Sequence, residues 1–113
     1  MKDCYRAHAE ICKTIAQAKR LEILDTLRGG ELSVNDLAER LGVAAANVSQ
    51  QLAVLRNAGV VLTRQQGTSV FYRVANPKIL RAYDLMTEVM EETLAARTRV
   101  ARRVRARGAP ARR

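Results

Sequence analysis

The feature that most constrains this chain is a pair of short amphipathic segments joined by one glycine. The first segment, SVNDLAERL, begins at Ser33, and the second, AAANVSQQLAVLRN, follows a tight LGV turn at Gly42. Ser33 with Asp36 three residues later fits a capped helix start, and both segments repeat apolar residues at helical spacing. Two short helices that meet at a glycine turn are typical of a helix-turn-helix motif.

The elements that flank this pair predict the rest of the fold. Upstream, the periodicity predicts one helix over residues 3–17 and a second over AKRLEILDTLRGG, which Gly29 and Gly30 end. Downstream, VVLTRQ and VFYRV flank the turn QGTS and predict a β-hairpin, after which Pro77 starts a long last helix. The predicted class is mainly α with a small β-hairpin, in the order α-α-α-α-β-β-α of a winged helix-turn-helix.

Positive charge is unevenly distributed along the chain. The net charge is +9, and eight arginines but no acid fall in residues 97–113. This segment either extends the last helix or is disordered, and Gly108 and Pro110 favour a frayed end. We therefore predict a DNA-binding and dimerisation domain over residues 1–96, followed by an arginine-rich tail over residues 97–113.

A second charge feature lies inside the main domain. No acidic residue occurs between Glu39 and Asp84, whereas several basic residues do. One sign of charge over such a length can form a positive face that attracts a polyanion. Chance clustering on a solvated surface is an equal alternative.

The outer side of the second motif helix predicts base contacts. With about 100° of rotation per residue, Val48, Leu52 and Leu55 face inward, and the other side carries small and polar residues. Gln and Asn can pair with adenine through two hydrogen bonds, Ser can bond donors or acceptors, and Ala can contact a thymine methyl group. The alternative is the polar solvated face that any surface helix has. The predicted base-reading residues are Ala46, Asn47, Ser49, Gln50 and Ala53.

Basic and amide residues beside this helix predict contacts with the DNA backbone. The hairpin arginines would hold phosphates or reach the adjacent minor groove, and two glutamines lie near the hairpin tip. Phosphate contacts would position the protein, while the helix would specify the site. The predicted residues are Arg56, Arg64, Gln65, Gln66 and Arg73.

The motif and its flanking elements together resemble a known family. The run ELSVNDLAERLGVAAANVSQQLAVLRNAGVVLTRQQGTSVFYRV resembles the ArsR/SmtB family of bacterial repressors, and KRLEILDTLRGGE is similar to that family's second helix. The resemblance covers residues 15–95 or so. It implies a homodimer that forms through the first and last helices, a double-stranded DNA operator, and an inducer that releases the protein.

Apolar spacing in the last helix favours a dimer independently of the resemblance. A chain of 113 residues buries a limited fraction of its surface, so a long apolar stripe favours a partner helix. The stripe consists of Ile79, Tyr83, Met86, Met90 and Leu94.

The inducer sites that the resemblance implies lack their usual ligands. A cysteine site in the third helix would fall at Ser33 and Asn35. A cysteine pair between the second and last helices is also missing, because Asp25 lies in the relevant part of the second helix and the last helix has no cysteine. A zinc site on the last helix would fall on four positions of which only the glutamate is a normal ligand. These four are Asn76, Lys78, Val89 and Glu92.

Cys4, His8 and Cys12 then remain as the candidates for a thiol-based sensor. Neighbours four residues apart on a helix can chelate a thiophilic metal or metalloid ion, and the thiols can alternatively respond to an oxidant or reactive sulfur. Cys4 and Cys12 would lie about 12 Å apart along the axis, which excludes a disulfide within an intact helix and disfavours a three-ligand site. A site shared between two protomers fits better. The alternative is a packing stripe with Ile11 and Ile15.

Other classes of function find little support in the sequence. No signal peptide is visible and no apolar run approaches the roughly 18 residues of a membrane span, so we expect a cytoplasmic protein without a membrane partner. One histidine, no nucleophile motif and no phosphate loop argue against an enzyme. The rival hypothesis is a winged-helix module that docks another protein without sequence-specific DNA binding, with structural cysteines.

Overall fold

The computed structural model describes residues 2–108, which divide into two compact units between Leu80 and Arg81. A short 3-10 turn, Leu27–Gly29, follows the second helix. The helices and strands of the described residues are α1 (Lys2–Ile15), α2 (Ala18–Thr26), β1 (Leu32–Ser33), α3 (Val34–Leu41), α4 (Ala45–Asn57), β2 (Val61–Gln66), β3 (Ser69–Val74) and α5 (Pro77–Gly108).

This order confirms the predicted winged helix-turn-helix and adds one strand to it. The hairpin of β2 and β3 turns at Gly67, whose φ of 62° suits the two-residue loop. The added strand β1 pairs antiparallel with β3, Leu32 opposite Tyr72, so the sheet order is β1-β3-β2. A strand of two residues is too short to show alternation, which is why the sequence pattern did not reveal it.

The core of the first unit is aliphatic and lies where α2, α3 and α4 meet the base of the hairpin. Partly buried side chains, among them Ile15, Tyr72 and Ile79, pack around it. The inward positions predicted for α4 are confirmed, because all three are buried. The fully buried set is Ile23, Leu24, Leu27, Leu37, Val48, Leu52, Leu55, Val60 and Val61.

Two caps fix the direction in which the chain leaves α3 and enters α4. At the start of α3, the Ser33 hydroxyl accepts a hydrogen bond from the Asp36 N–H at 3.2 Å, as predicted. At its end, Gly42 adopts a left-handed conformation with φ of 67°, and the Val43 N–H donates to the Ala38 carbonyl at 3.1 Å. This is the Schellman arrangement, which satisfies the last carbonyls of a helix.

We expect Gly42→Ala to lower the free energy of unfolding by about 1–2 kcal/mol, because an L side chain is strained in the left-handed region. A Cβ atom at this position meets no other atom within 4 Å, so the backbone conformation alone causes the loss. Gly29→Ala is the matched control, because Gly29 has open space around it and no left-handed φ. Urea unfolding of both variants tests this, and equal stabilities would contradict it.

The last helix has the longer of the two extents that the sequence left open. Helix α5 starts at Pro77, where the Asn76 side chain accepts a hydrogen bond from the Lys78 N–H at 2.9 Å. It continues without a break past the predicted domain boundary at residue 96 and ends at Gly108. The arginine-rich segment is thus helical up to Gly108, and Pro110 and the end of the predicted tail lie outside the described residues. None of the helices within residues 2–108 combines the length and apolarity that crossing a bilayer requires.

Candidate nucleic-acid interface

Helix α4 presents the predicted base-reading residues to solvent. Its buried side anchors the helix through Val48, Leu52 and Leu55, so the other side is exposed. The helix carries no carboxylate that would repel phosphate, and Arg56 lies exposed in its last turn. The exposed residues include all five that the pattern selected, namely Ala46, Asn47, Ser49, Gln50 and Ala53.

A hydrogen-bond bridge that the sequence did not reveal holds α4 from the side. The Arg20 Nε donates to the Gln51 Oε1 at 2.9 Å, and the Arg20 Nη1 donates to the Thr14 carbonyl at 2.9 Å. Arg20 thereby links α2 to α4 and to the last turn of α1. Gln51 lies next to Gln50, so this bridge fixes the rotation of α4 beside the predicted reading position.

The hairpin arginine that was predicted to hold phosphate already has a carboxylate partner. The Arg64 Nε lies 3.0 Å from the Glu31 Oε2, and its guanidinium stands 5.1 Å from the centroid of the Phe71 ring. Its Nη1 also donates to the Gln66 Oε1 at 2.9 Å. The hydrogen bond from Arg64 holds the pKa of Glu31 below its usual value. A DNA phosphate would therefore have to compete with the Glu31 carboxylate for the Arg64 guanidinium.

The other predicted phosphate residues lie at the surface. Arg73 on β3 is exposed, opposite Leu62 in the sheet register. Arg56 is also exposed, and neither arginine forms an ion pair with any carboxylate in residues 2–108. At the hairpin tip Gln65 donates to the Gly67 carbonyl at 3.4 Å. Arg56 and Arg73 are thus the cations of the predicted set without an ion pair within residues 2–108. The charge of Arg73 nevertheless acts on Glu31, since it adds to the lowering of that carboxylate's pKa.

We expect Glu31→Gln to strengthen DNA binding, because it leaves the Arg64 charge without its carboxylate. One gained phosphate contact steepens the dependence of log affinity on log salt by about 0.9, which corresponds to several-fold tighter binding at low salt. Glu22→Gln on the exposed side of α2 is the control, since it changes net charge equally. Fluorescence anisotropy over a salt series measures both, and identical slopes for the two variants would contradict the expectation.

The candidate sensor residues lie on the outside of α1. Cys4 and Cys12 are free and exposed, His8 is exposed between them, and α1 contains no buried residue. In the part of the chain that the structure describes, no three or more His, Cys, Asp or Glu side chains are grouped to hold a metal ion.

Two positions of the metal sites that the resemblance implies have another use in this chain. The Ser33 hydroxyl caps α3 and the Asn76 side chain caps α5. A hydroxyl and a neutral amide are poor ligands for thiophilic ions. A lysine ammonium group, as at Lys78, has no lone pair with which to ligate a metal. The donor set at these positions therefore does not fit the metals that those sites hold.

Two short helices joined at a glycine turn, the second of them exposed on one side and followed by a small β-hairpin, define a winged helix-turn-helix protein. Residues 18–63 match the family described as "Bacterial regulatory protein, arsR family". The crystal structure of Rv0081 from M. tuberculosis superposes with a TM-score of 0.77 at 36% identity, covering 84% of this chain and 96% of that one. The chain belongs to the ArsR family of bacterial regulatory proteins.

Further relatives agree with this family. The biofilm growth-associated repressor of Agrobacterium fabrum is 41% identical over 78 residues, which are 69% of this chain and 67% of that protein. The regulator KmtR of Mycobacterium tuberculosis is 46% identical over 70 residues, or 62% of this chain, and the match spans about half (54%) of KmtR. The homodimeric winged helix-turn-helix DNA-binding domain of Mb0332 from Mycobacterium bovis has a TM-score of 0.74 at 32% identity, covering 82% of this chain and 86% of that one.

Proposed function

We propose that the protein is a homodimeric transcriptional repressor that binds a double-stranded DNA operator through α4 and leaves it when an inducer acts on α1. The observation that carries this proposal is the exposed face of α4. Its small and amide side chains can approach base edges closely, and buried leucines and the Arg20 bridge hold it rigid. Rigid placement matters because base-edge hydrogen bonds discriminate only when their geometry is fixed.

A second copy of the chain is the proposed cover for the apolar surfaces of α1 and α5. In the first unit Tyr5 is 69% exposed and Ile11 is also exposed. In the second unit Met86, Met90 and Leu94 are all more than half exposed. Apolar stripes of this size normally pack against a partner. A dimer would place two α4 helices on half-sites about 34 Å apart along one side of the DNA.

Repression is supported by the printed description of the Agrobacterium relative, and the dimer by that of Mb0332. A dimer on its operator covers DNA that RNA polymerase would otherwise occupy, so binding alone prevents transcription. The proposal needs no further domain for this effect.

The proposed inducer reacts with thiols. Cys4 and Cys12 are exposed and free, so a thiophilic metal or metalloid ion, an oxidant or reactive sulfur can reach them. Because two turns of helix separate the cysteines, the proposed site combines cysteines from two protomers. Thr14 near the end of α1 bonds to Arg20, so a shift of α1 would reach α4 through this bridge.

Fluorescence anisotropy with the DNA upstream of the protein's own gene tests DNA recognition. We expect selective binding over a shuffled sequence of equal length, with an affinity that falls as salt rises. A chain that binds both DNAs equally, or neither, would favour the protein-docking module instead. Sedimentation of the DNA complex gives the number of protomers per site.

We expect Cys4→Ser with Cys12→Ser to keep operator affinity within about twofold while abolishing inducible release. Serine preserves size and helix length but removes the thiolate that reacts or ligates. Arsenite, Cd(II) and hydrogen peroxide are the probes, and the DNA complex is the readout. If the double variant is released as readily as the parent chain, the cysteines have no sensing role.

A further inference from the structure

The end of α5 carries a concentration of positive charge that the rest of the chain does not neutralise. Six arginines occur between Arg97 and Arg107 without an acid, over about 15 Å of helix. All six are exposed, and none of them forms a hydrogen bond or ion pair within residues 2–108. The charge is therefore directed entirely at solvent or at a partner.

The spacing of acids on the same helix excludes the usual structural use of such arginines. Helical ion pairs form between residues three or four apart. Glu91 and Glu92 precede the arginines, but Leu94, Ala95 and Ala96 occupy those spacings. Acids and arginines are separated along α5, so the arginines do not stabilise it by local pairing.

The arginines instead repel one another. Arg99 has arginines at three- and four-residue spacing, Arg102 and Arg103, and Arg103 has Arg107 four residues on. Each like-charged pair of this kind destabilises a helix by about 0.2–0.5 kcal/mol. Attraction to the negative end of the helix dipole offsets part of this cost. A polyanion that binds here would remove the repulsion as well as gain contacts.

The helix geometry gathers four of the arginines on one side. With about 100° per residue, they fall within roughly 140° of arc, and Val100 and Val104 lie at the edge of this arc and beyond it. Both valines are exposed, at 57% and 61%. The four arginines are Arg99, Arg102, Arg103 and Arg107.

Side-chain chemistry points to phosphate and away from a lipid surface. All six cations are arginines, whose planar guanidinium matches two phosphate oxygens at once. The apolar residues of this segment are valine and alanine, which are too small to anchor a helix in a bilayer interface, where Trp, Phe and Leu are usual. Under the proposed function this protein binds DNA, so the polyphosphate that its arginines would meet is the DNA backbone.

We propose that the arginine-rich end of α5, from Arg97 to Arg107, is a second DNA-binding surface that holds backbone phosphates without reading sequence. It rests on the proposed function only in that DNA is the ligand. Its contribution is equal for operator and unrelated DNA. This surface raises the affinity for both DNAs, and the ratio of the two affinities is set by α4.

The test replaces Arg99, Arg102, Arg103 and Arg107 by glutamine in the full chain. Glutamine forms helices nearly as well as arginine, so α5 keeps its length. We expect the slope of log affinity against log salt to fall by about 2–4, with affinity at 0.1 M salt at least about tenfold lower on both DNAs. The ratio of operator to shuffled-DNA affinity stays unchanged.

Substitution of the same four arginines by lysine is the matched control, because it keeps the charge. Its salt slope should stay within about one of the slope of the parent chain. Circular dichroism and sedimentation confirm helicity and dimer state in each variant. An unchanged slope in the glutamine variant overturns the inference. Binding to vesicles of phosphatidylserine and phosphatidylcholine is measured in parallel. If the glutamine variant loses only vesicle binding, the inference is overturned and the arginines belong to a membrane surface. If it forms a weaker dimer while the salt slope for DNA is unchanged, the inference is also overturned and the arginines contact a second copy of the chain.

The failure of this inference and that of the proposed function give different results. A full chain without operator preference, but with a slope that depends on the four arginines, refutes the proposed operator recognition and keeps the second surface. A chain with clear operator preference, but with a salt slope that is the same with and without the four arginines, supports the proposed operator recognition and refutes the second surface.

Discussion

Replacing Met90 by glutamate is expected to convert the proposed dimer into monomers and to weaken operator binding more than about 100-fold, since a dimer gains about 10²–10⁴ in avidity from linked half-sites. Met90 is 58% exposed in the single chain and lies in the middle of the apolar stripe of α5. In a twofold interface each substitution occurs twice, so two carboxylates would be buried without partners. Sedimentation equilibrium and anisotropy measure the two effects.

Ala95→Glu is the matched control for this substitution. Ala95 is exposed on the same helix but lies about 140° around it from Met90, so the same charge is added away from the stripe. There a glutamate would meet Arg99 four residues later, which favours the helix. Equal dimer dissociation constants for the two variants would show that the apolar stripe of α5 is not the dimer interface.

Gln50→Ala is expected to reduce operator affinity by roughly 30-fold or more, because a bidentate amide–adenine contact is worth about 1–3 kcal/mol and occurs once in each half-site. Binding to shuffled DNA should change little, since no phosphate contact is lost. Alanine is a better helix former than glutamine, so α4 remains folded. Competition between operator and shuffled DNA measures the selectivity directly.

Gln51→Ala provides the neighbouring control. Its Oε1 accepts the hydrogen bond from Arg20 and it is half-buried, so its loss should lower the free energy of unfolding by about 1 kcal/mol. Because this bridge only supports α4 while the buried leucines still anchor it, selectivity should fall less than in Gln50→Ala. The two adjacent glutamines should thus separate direct base contact from support of the helix. A Gln50→Ala chain that keeps full selectivity would remove Gln50 from the reading face.

Local signals explain why the helix-turn-helix could be predicted in detail. The cap at Ser33, the glycine turn at Gly42 and the inner face of α4 each depend on residues within a few positions of one another. Strong short-range patterns of this kind predict helix starts and ends well. The structure confirms all three.

Contacts between distant residues could not be predicted in the same way. Arg20 meets Gln51 across 31 positions, and Arg64 meets Glu31 across 33. Periodicity shows which side of a helix is polar but not which polar groups meet when the chain folds. The sequence therefore predicted Arg64 as a phosphate ligand without its competing carboxylate.

Helix α1 has a consequence for when the protein can respond at all. Its 14 residues include none that is buried within one chain, and isolated helices of about this length are marginal in water. Within residues 2–108 of one chain only the end of α1 is held, by the Arg20 hydrogen bond to Thr14 and by Ile15 against the core. In the proposed dimer the partner would order the rest of α1, so its folding would depend on protein concentration. Below the dimer dissociation constant, the amide hydrogens of α1 should exchange with solvent almost freely, whereas those of α4 stay protected. Under the proposed function, the two cysteines would thus lie on a segment that becomes structured only once the dimer has formed, so a cell with few copies would hold chains whose thiols are not yet placed to act together.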